Sequence, residues 1–67
     1  MSREEFAKTL RKLREAKRLT QGELADRAGL HRVYVTKLET EAETNPTLDT
    51  IKCLAKALGV PASKLLE

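Results

Sequence analysis

Thr20-Gln21-Gly22-Glu23-Leu24-Ala25-Asp26-Arg27-Ala28-Gly29-Leu30-His31-Arg32-Val33-Tyr34-Val35-Thr36-Lys37-Leu38-Glu39-Thr40 is the stretch on which the fold turns. Thr20-Gln21-Gly22-Glu23 has the T-x-x-E form of a capping box, in which hydroxyl and carboxylate satisfy backbone N–H groups that a helix start leaves unpaired. It opens a short helix carrying Leu24, Ala25 and Ala28. Gly29 ends that helix, because glycine readily takes the left-handed conformation just past a helix terminus. A second helix follows from about His31 to Thr40, after a connection of little more than Gly29 and Leu30.

Two short helices on so brief a turn, with glycine in it, describe a helix-turn-helix at about 21–40. Ala25 supplies the small residue where the helices cross. Val35 and Leu38 supply the inner face of the second helix, flanked by His31 and Tyr34. At about 100° per residue, Arg32, Val33, Thr36, Lys37 and Thr40 fall together on the outward face.

The rest of the chain is punctuated in the same way. Ser2-Arg3-Glu4-Glu5 reads as another capping box, and Phe6, Leu10 and Leu13 form the apolar stripe of a helix ending near Lys17. Glu41–Pro46 is polar, ends in Asn-Pro and reads as a loop. Thr47 caps a fourth helix with Leu48, Ile51, Leu54, Ala55 and Leu58 on one face, and Gly59 stops it. Pro61 suits the first turn of a last short helix, with Leu65 and Leu66 closing the core. There are no strand-like alternations, repeats or low-complexity tracts. The expectation is an all-α, five-helix fold, with residues 1–67 as one domain.

Composition narrows the function classes. Sixty-seven residues leave no room for a second core, and a chain of this size buries only about 60% of its unfolded surface. One His and one Cys exclude a zinc site built from this chain alone and any intrachain disulfide. No apolar run approaches the roughly 20 residues that span a bilayer, and no charged-then-apolar leader opens the sequence. The lone thiol in a charged sequence fits a reducing cytoplasm. One Tyr and one Phe argue against an aromatic stacking platform for single strands. An enzyme is disfavoured, because the one His has only scattered acids around it and a domain this small offers no obvious enclosed pocket. Nothing calls for a cofactor, a metal, a small-molecule site or a membrane.

The charge is uneven. Through Leu38 there are ten basic residues and five acids, a net of +5, whereas from Glu39 onward the net is −2. This asymmetry fits a polyanion on one half only, although a solvated helical surface explains charge alone equally well. The outward face decides between them. A helix meeting only water has no use for a β-branched apolar residue between Arg32 and Thr36, whereas Val33 against a thymine methyl has an apolar partner. Arg32 lies in the first turn, where a recognition helix reaches furthest into the major groove, and its guanidinium matches guanine O6 and N7. Lys37 reaches either a base or a phosphate.

With these residues in place, the chain resembles the Cro/CI-type helix-turn-helix domain, also called the XRE family, from about Leu10 to Leu66. The matching stretches are Leu10-Arg11-Lys12-Leu13-Arg14, Leu19-Thr20-Gln21-Gly22-Glu23-Leu24-Ala25, Ala28-Gly29-Leu30, Val35-Thr36-Lys37-Leu38-Glu39, Asn45-Pro46-Thr47-Leu48 and Leu54-Ala55-Lys56-Ala57-Leu58-Gly59-Val60. The resemblance implies a compact, lambda-repressor-like five-helix domain. It also implies sequence-specific binding to double-stranded DNA by a transcriptional regulator, often a homodimeric repressor reading an inverted repeat. His31-Arg32 after Gly29-Leu30 further resembles restriction–modification controller proteins.

Carried over residue by residue, the resemblance puts base contacts on Arg32, Val33, Thr36 and Lys37. It puts Gln21 at a backbone phosphate, where free N–H groups and the positive end of a helix dipole independently favour an anion. Lys17, Arg18, Tyr34 and Thr40 are the other expected phosphate contacts. Arg14 and Glu39 fall where the family often pairs a first-helix Arg with a third-helix acid. Arg14 flanks the buried stripe, which favours a structural pair over a DNA contact, and both readings stand.

Three positions depart from the pattern. His31 stands where Ser or Thr commonly caps the recognition helix, leaving it a structural role or a phosphate contact. Arg18 stands where the family favours Gly, at a cost of about 1 kcal/mol if its backbone is left-handed. Glu41 and Glu43 stand in a loop that often carries basic residues, so that loop is expected to swing clear of DNA or to face a partner. Cys53 and Ala57, off the apolar stripe of the fourth helix, form either a small-residue patch for a second helix or a plain exposed surface. A two-fold dimer through the last two helices fits the first option. The alternative from another class is a protein-interaction module, such as an antitoxin subunit, with little DNA affinity of its own.

Overall fold

Among the described residues, three helix ends close with the same pair of hydrogen bonds, and those closures set the path of the chain. In the computed structural model, which describes residues 3–40 and 46–66, the helices are α1 (Arg3–Ala16), α2 (Gln21–Ala28), α3 (Arg32–Thr40), α4 (Leu48–Leu58) and α5 (Ala62–Leu66). At the end of α2 the Leu30 N–H donates to the Ala25 carbonyl at 2.8 Å and Gly29 to Asp26 at 3.3 Å. At the end of α4 the Val60 N–H reaches Ala55 at 3.0 Å and Gly59 reaches Lys56 at 3.2 Å. Gly29 and Gly59 both sit at φ 70°, the left-handed geometry this closure requires. The end of α1 repeats it, with Leu19 donating to Arg14 at 3.2 Å and Arg18 to Glu15 at 2.9 Å. Arg18 therefore occupies the left-handed position at φ 57°, without the conformational freedom of glycine.

Helix starts follow the sequence equally closely. Thr20 Oγ1 accepts from the Glu23 N–H at 3.0 Å while Glu23 Oε1 accepts from the Thr20 N–H at 2.9 Å, so both halves of the capping box are made. Thr47 Oγ1 accepts from the Thr50 N–H at 3.2 Å at the head of α4. The capping box expected at Ser2 and the acidic loop at Glu41 and Glu43 lie outside the described residues.

The core gathers Phe6 and Leu10 from α1, Leu24 and Ala25 from α2, Val35 and Leu38 from α3, Ile51, Leu54, Ala55 and Leu58 from α4, and Leu65 from α5. Leu19, in the turn after α1, joins them, and Leu13 packs at the edge. α2 packs on α3 and α4, while α1 packs on α3 and α5. No helix among the described residues is long and apolar enough to cross a membrane.

Two apolar residues expected in the core lie outside it. Leu48 is 59% exposed and Leu66 44% exposed. Each is the terminal residue of its helix, and Leu66 also lies about 100° round α5 from the buried Leu65. Ala57, expected to point away from the stripe of α4, is half-buried and packs against the core, whereas Cys53 is exposed.

Candidate nucleic-acid interface

α3 presents two faces, and the sequence sorts them by residue type. Val35 and Leu38 are buried, while Arg32, Val33, Lys37 and Thr40 are exposed. Val33 is 54% exposed, an apolar side chain held in solvent on a helix whose other large apolar residues are covered. A hollow of about 360 Å³ lies beside it, bounded by His31, Val33, Tyr34 and Lys37. The Tyr34 side chain is half-buried and packs against the core. Arg32 and Lys37 form no side-chain hydrogen bond or ion pair with any described residue, and both are exposed.

His31 caps α3. Its Nδ1 accepts from the Val33 N–H at 3.2 Å, and its carbonyl accepts from Tyr34 and Val35 at 3.0 and 3.2 Å. The imidazole thus replaces the hydroxyl usually found at a helix start, and of the two roles left open for His31 the structural one is observed. Further along, Thr40 Oγ1 donates to the Thr36 carbonyl at 2.7 Å, a bond back along its own helix.

Beneath this face runs a polar chain that crosses three helices. Arg14 Nε and Nη2 donate to Glu39 Oε2 and Oε1 at 2.7 and 3.0 Å, a two-pronged contact between α1 and α3. Arg14 Nη1 also donates to the Leu19 carbonyl at 2.7 Å, which pins the turn after α1. The bond to Glu39 raises the Arg14 pKa above its ordinary value, with burial opposing. Glu39 Oε1 also accepts from Gln21 Nε2 at 3.1 Å, and Gln21 Oε1 accepts from Thr36 Oγ1 at 2.8 Å. Thr36 Oγ1 also lies 3.1 Å from the Arg32 carbonyl. Among the described residues no buried side-chain nitrogen or oxygen lacks a partner.

Gln21 thus begins α2, beside that helix's free N–H groups, yet both ends of its amide are bonded to α3. One of its two amide protons is left for another acceptor. Lys17 and Arg18 are exposed in the turn that Arg14 holds. The Arg32 stem lies over the start of α2, because a Cβ on Gly22 would sit 3.7 Å from Arg32 Cδ. Sequence spacing gave no sign of the Gln21 bonds, whose partners lie 15 and 18 residues away on another helix.

Comparison with known proteins agrees with this architecture. A family model described as helix-turn-helix matches residues 10–65. The chain is 42% identical over 64 residues to the control protein C.SmaI of Serratia marcescens, covering 96% of this chain and 75% of that protein. The crystal structure of the restriction–modification controller protein C.AhdI from Aeromonas hydrophila superposes with a TM-score of 0.89 at 40% identity, covering 94% of each chain. The HTH-type transcriptional repressor RghR of Bacillus subtilis is 36% identical over 63 residues, and there the chain spans only 47% of the relative's length. Motif order, five-helix architecture and these matches together place the chain in the Cro/CI-type, or XRE, helix-turn-helix family of DNA-binding transcriptional regulators.

Proposed function

We propose that this protein is a sequence-specific double-stranded DNA-binding regulator of transcription that reads the major groove with α3 and acts as a controller or repressor in the cytoplasm. The observation that carries this reading is the outward face of α3, where Arg32 and Lys37 are exposed and make no side-chain bond to any described residue, and Val33 is exposed between them. Base edges answer those three chemistries. Arg32 suits guanine O6 and N7, Val33 with the hollow beside it suits a thymine methyl, and Lys37 suits a base acceptor or a phosphate. Thr36 completes the base-reading set. Lys17, Arg18, Tyr34 and the spare amide proton of Gln21 serve the phosphates, with the start of α2 aimed at the same backbone, whereas Thr40 gives its one hydroxyl proton to the Thr36 carbonyl and reaches a phosphate only by releasing it. Binding as a homodimer through α4 and α5 to an inverted repeat gives half-sites about 34 Å apart. The likeness to controller proteins C.SmaI and C.AhdI supports a controller role of this kind.

The test is selection of bound sequences from a random duplex library near physiological salt, with the assembly state of the protein measured in parallel. An enriched inverted repeat bound by two copies is the expected result. A single enriched half-site bound by one copy removes the dimer and keeps the reading helix. Weak binding of all sequences, with no enrichment, overturns the proposal.

A further inference from the structure

Resting on the reading of α3 as the base-reading helix, we propose that Thr36 is a one-way reader. It accepts a hydrogen bond from an amino base, adenine N6 or cytosine N4, and discriminates against the keto bases thymine and guanine at that position. The direction follows from the polar chain beneath it. Arg14 can only donate, so the two Glu39 oxygens it grips at 2.7 and 3.0 Å act as acceptors. Glu39 Oε1 then requires a donor from Gln21, which fixes Nε2 toward Glu39 at 3.1 Å and leaves Oε1 facing Thr36. Gln21 Oε1 can only accept, so the Thr36 hydroxyl donates to it at 2.8 Å. The other atom within reach of that hydroxyl, the Arg32 carbonyl at 3.1 Å, is also an acceptor.

A threonine hydroxyl carries one proton, and here both of its internal partners claim that proton. What remains for DNA is the oxygen's acceptor capacity. In the major groove the hydrogen-bond donors are the amino groups of adenine and cytosine, whereas thymine O4 and guanine O6 and N7 accept. A keto oxygen facing Thr36 meets a lone pair with no proton between them. Gln21, Glu39 and Arg14 are thus positioning residues, which set the polarity of a contact they do not make.

The test is the same duplex selection, run on the wild-type chain and on Thr36→Val, Thr36→Ser and Gln21→Met. The base position that loses its preference in Thr36→Val, which keeps the shape and removes the hydroxyl, is the one Thr36 reads. There the wild type and Thr36→Ser are expected to favour adenine or cytosine over thymine or guanine by roughly threefold to tenfold, the range of one hydrogen bond. Gln21→Met leaves only the longer Arg32 carbonyl bond to hold the proton. The amino preference is expected to fall to about twofold or less at that position, with the preferences set by Arg32 unchanged. A melting curve of each variant confirms that it is folded at the selection temperature. A keto base at the Thr36 position in the wild type overturns the proposal while leaving the DNA-reading assignment intact. Full retention of the amino preference in Gln21→Met overturns the role of the polar chain. A wild-type chain that enriches no sequence removes the underlying reading itself.

Discussion

Arg14 and Glu39 meet across 25 residues of sequence, with the Arg14 Nε 2.7 Å from Glu39 Oε2 and only 12% and 2% of the two side chains exposed. The pair ties α1 to the far end of α3. A buried carboxylate in bidentate contact with a partly buried guanidinium leaves a large penalty when the guanidinium is removed, because Glu39 keeps its desolvation cost without its partner.

Arg14→Met is therefore expected to destabilise the domain by about 3–5 kcal/mol, comparable to the whole stability of a fold this small. Thermal unfolding followed by circular dichroism measures it. Combining Arg14→Met with Glu39→Leu should recover most of that loss, since an apolar pair leaves no unpaired charge. Losses that simply add in the double variant would show that the two residues are not coupled.

Arg18→Gly should separate stability from binding. The left-handed backbone at φ 57° costs an L-residue about 1–2 kcal/mol, against about 0.5–1 kcal/mol for the extra freedom glycine gives the unfolded chain. A net gain of about 0–1.5 kcal/mol is expected. Losing the guanidinium should weaken binding to all duplexes alike and reduce the salt slope by about one unit. A lower melting temperature would contradict the strain assignment, and an unchanged salt slope the phosphate assignment.

Replacing residues on the two sides of the interface should give two different signatures. Arg32→Ala is expected to cost about 1–3 kcal/mol and to relax preference at one base position. Lys17→Ala should weaken every sequence equally and leave the selected motif as it was. Uniform weakening by Arg32→Ala would move that residue from base reading to the phosphates.

The capping box at the start of α2 predicts a measurable acid response. Hydrogen bonds from Thr20 hold the Glu23 carboxyl below its ordinary pKa, with burial opposing and Arg27 assisting. A group depressed in the folded state contributes stability that is fully present above the ordinary glutamate range, around pH 4–5, and lost as pH falls through the lowered folded value. Glu23→Gln retains an oxygen for the Thr20 N–H but has no proton to gain. Between about pH 6 and pH 3, its melting temperature should therefore fall less steeply than that of the wild type.

Most of the fold was legible because its signals are local. Thr20 with Glu23, Thr47, Gly29 and Gly59 each announce a helix terminus within four residues, and each terminus lies where expected. Leu48 and Leu66 read as core from the sequence because periodicity gives an angle around a helix and does not say what covers its last residue, and both are exposed. The exposure of Arg32, Val33, Lys37 and Thr40 on α3 was equally legible, since it follows from that angle, whereas Thr36, expected on the same face, is half-buried against Gln21. The bonds from Gln21 to Glu39 and Thr36 were not legible. They depend on two helices meeting at one side-chain height, which packing decides and residue spacing does not encode.

The outward face of α3 also divides by how its residues are attached. Arg32, Val33 and Lys37 are exposed, and their side chains make no hydrogen bond or ion pair with any described residue. Thr36 is fastened to a second helix, and a change there is felt through Gln21 as far as α1. On the proposed reading, a lineage descending from this protein acquires new target sites most readily by altering the three exposed positions. Thr36 would then be inherited as a fixed element of the code, shared by descendants that no longer read one another's DNA.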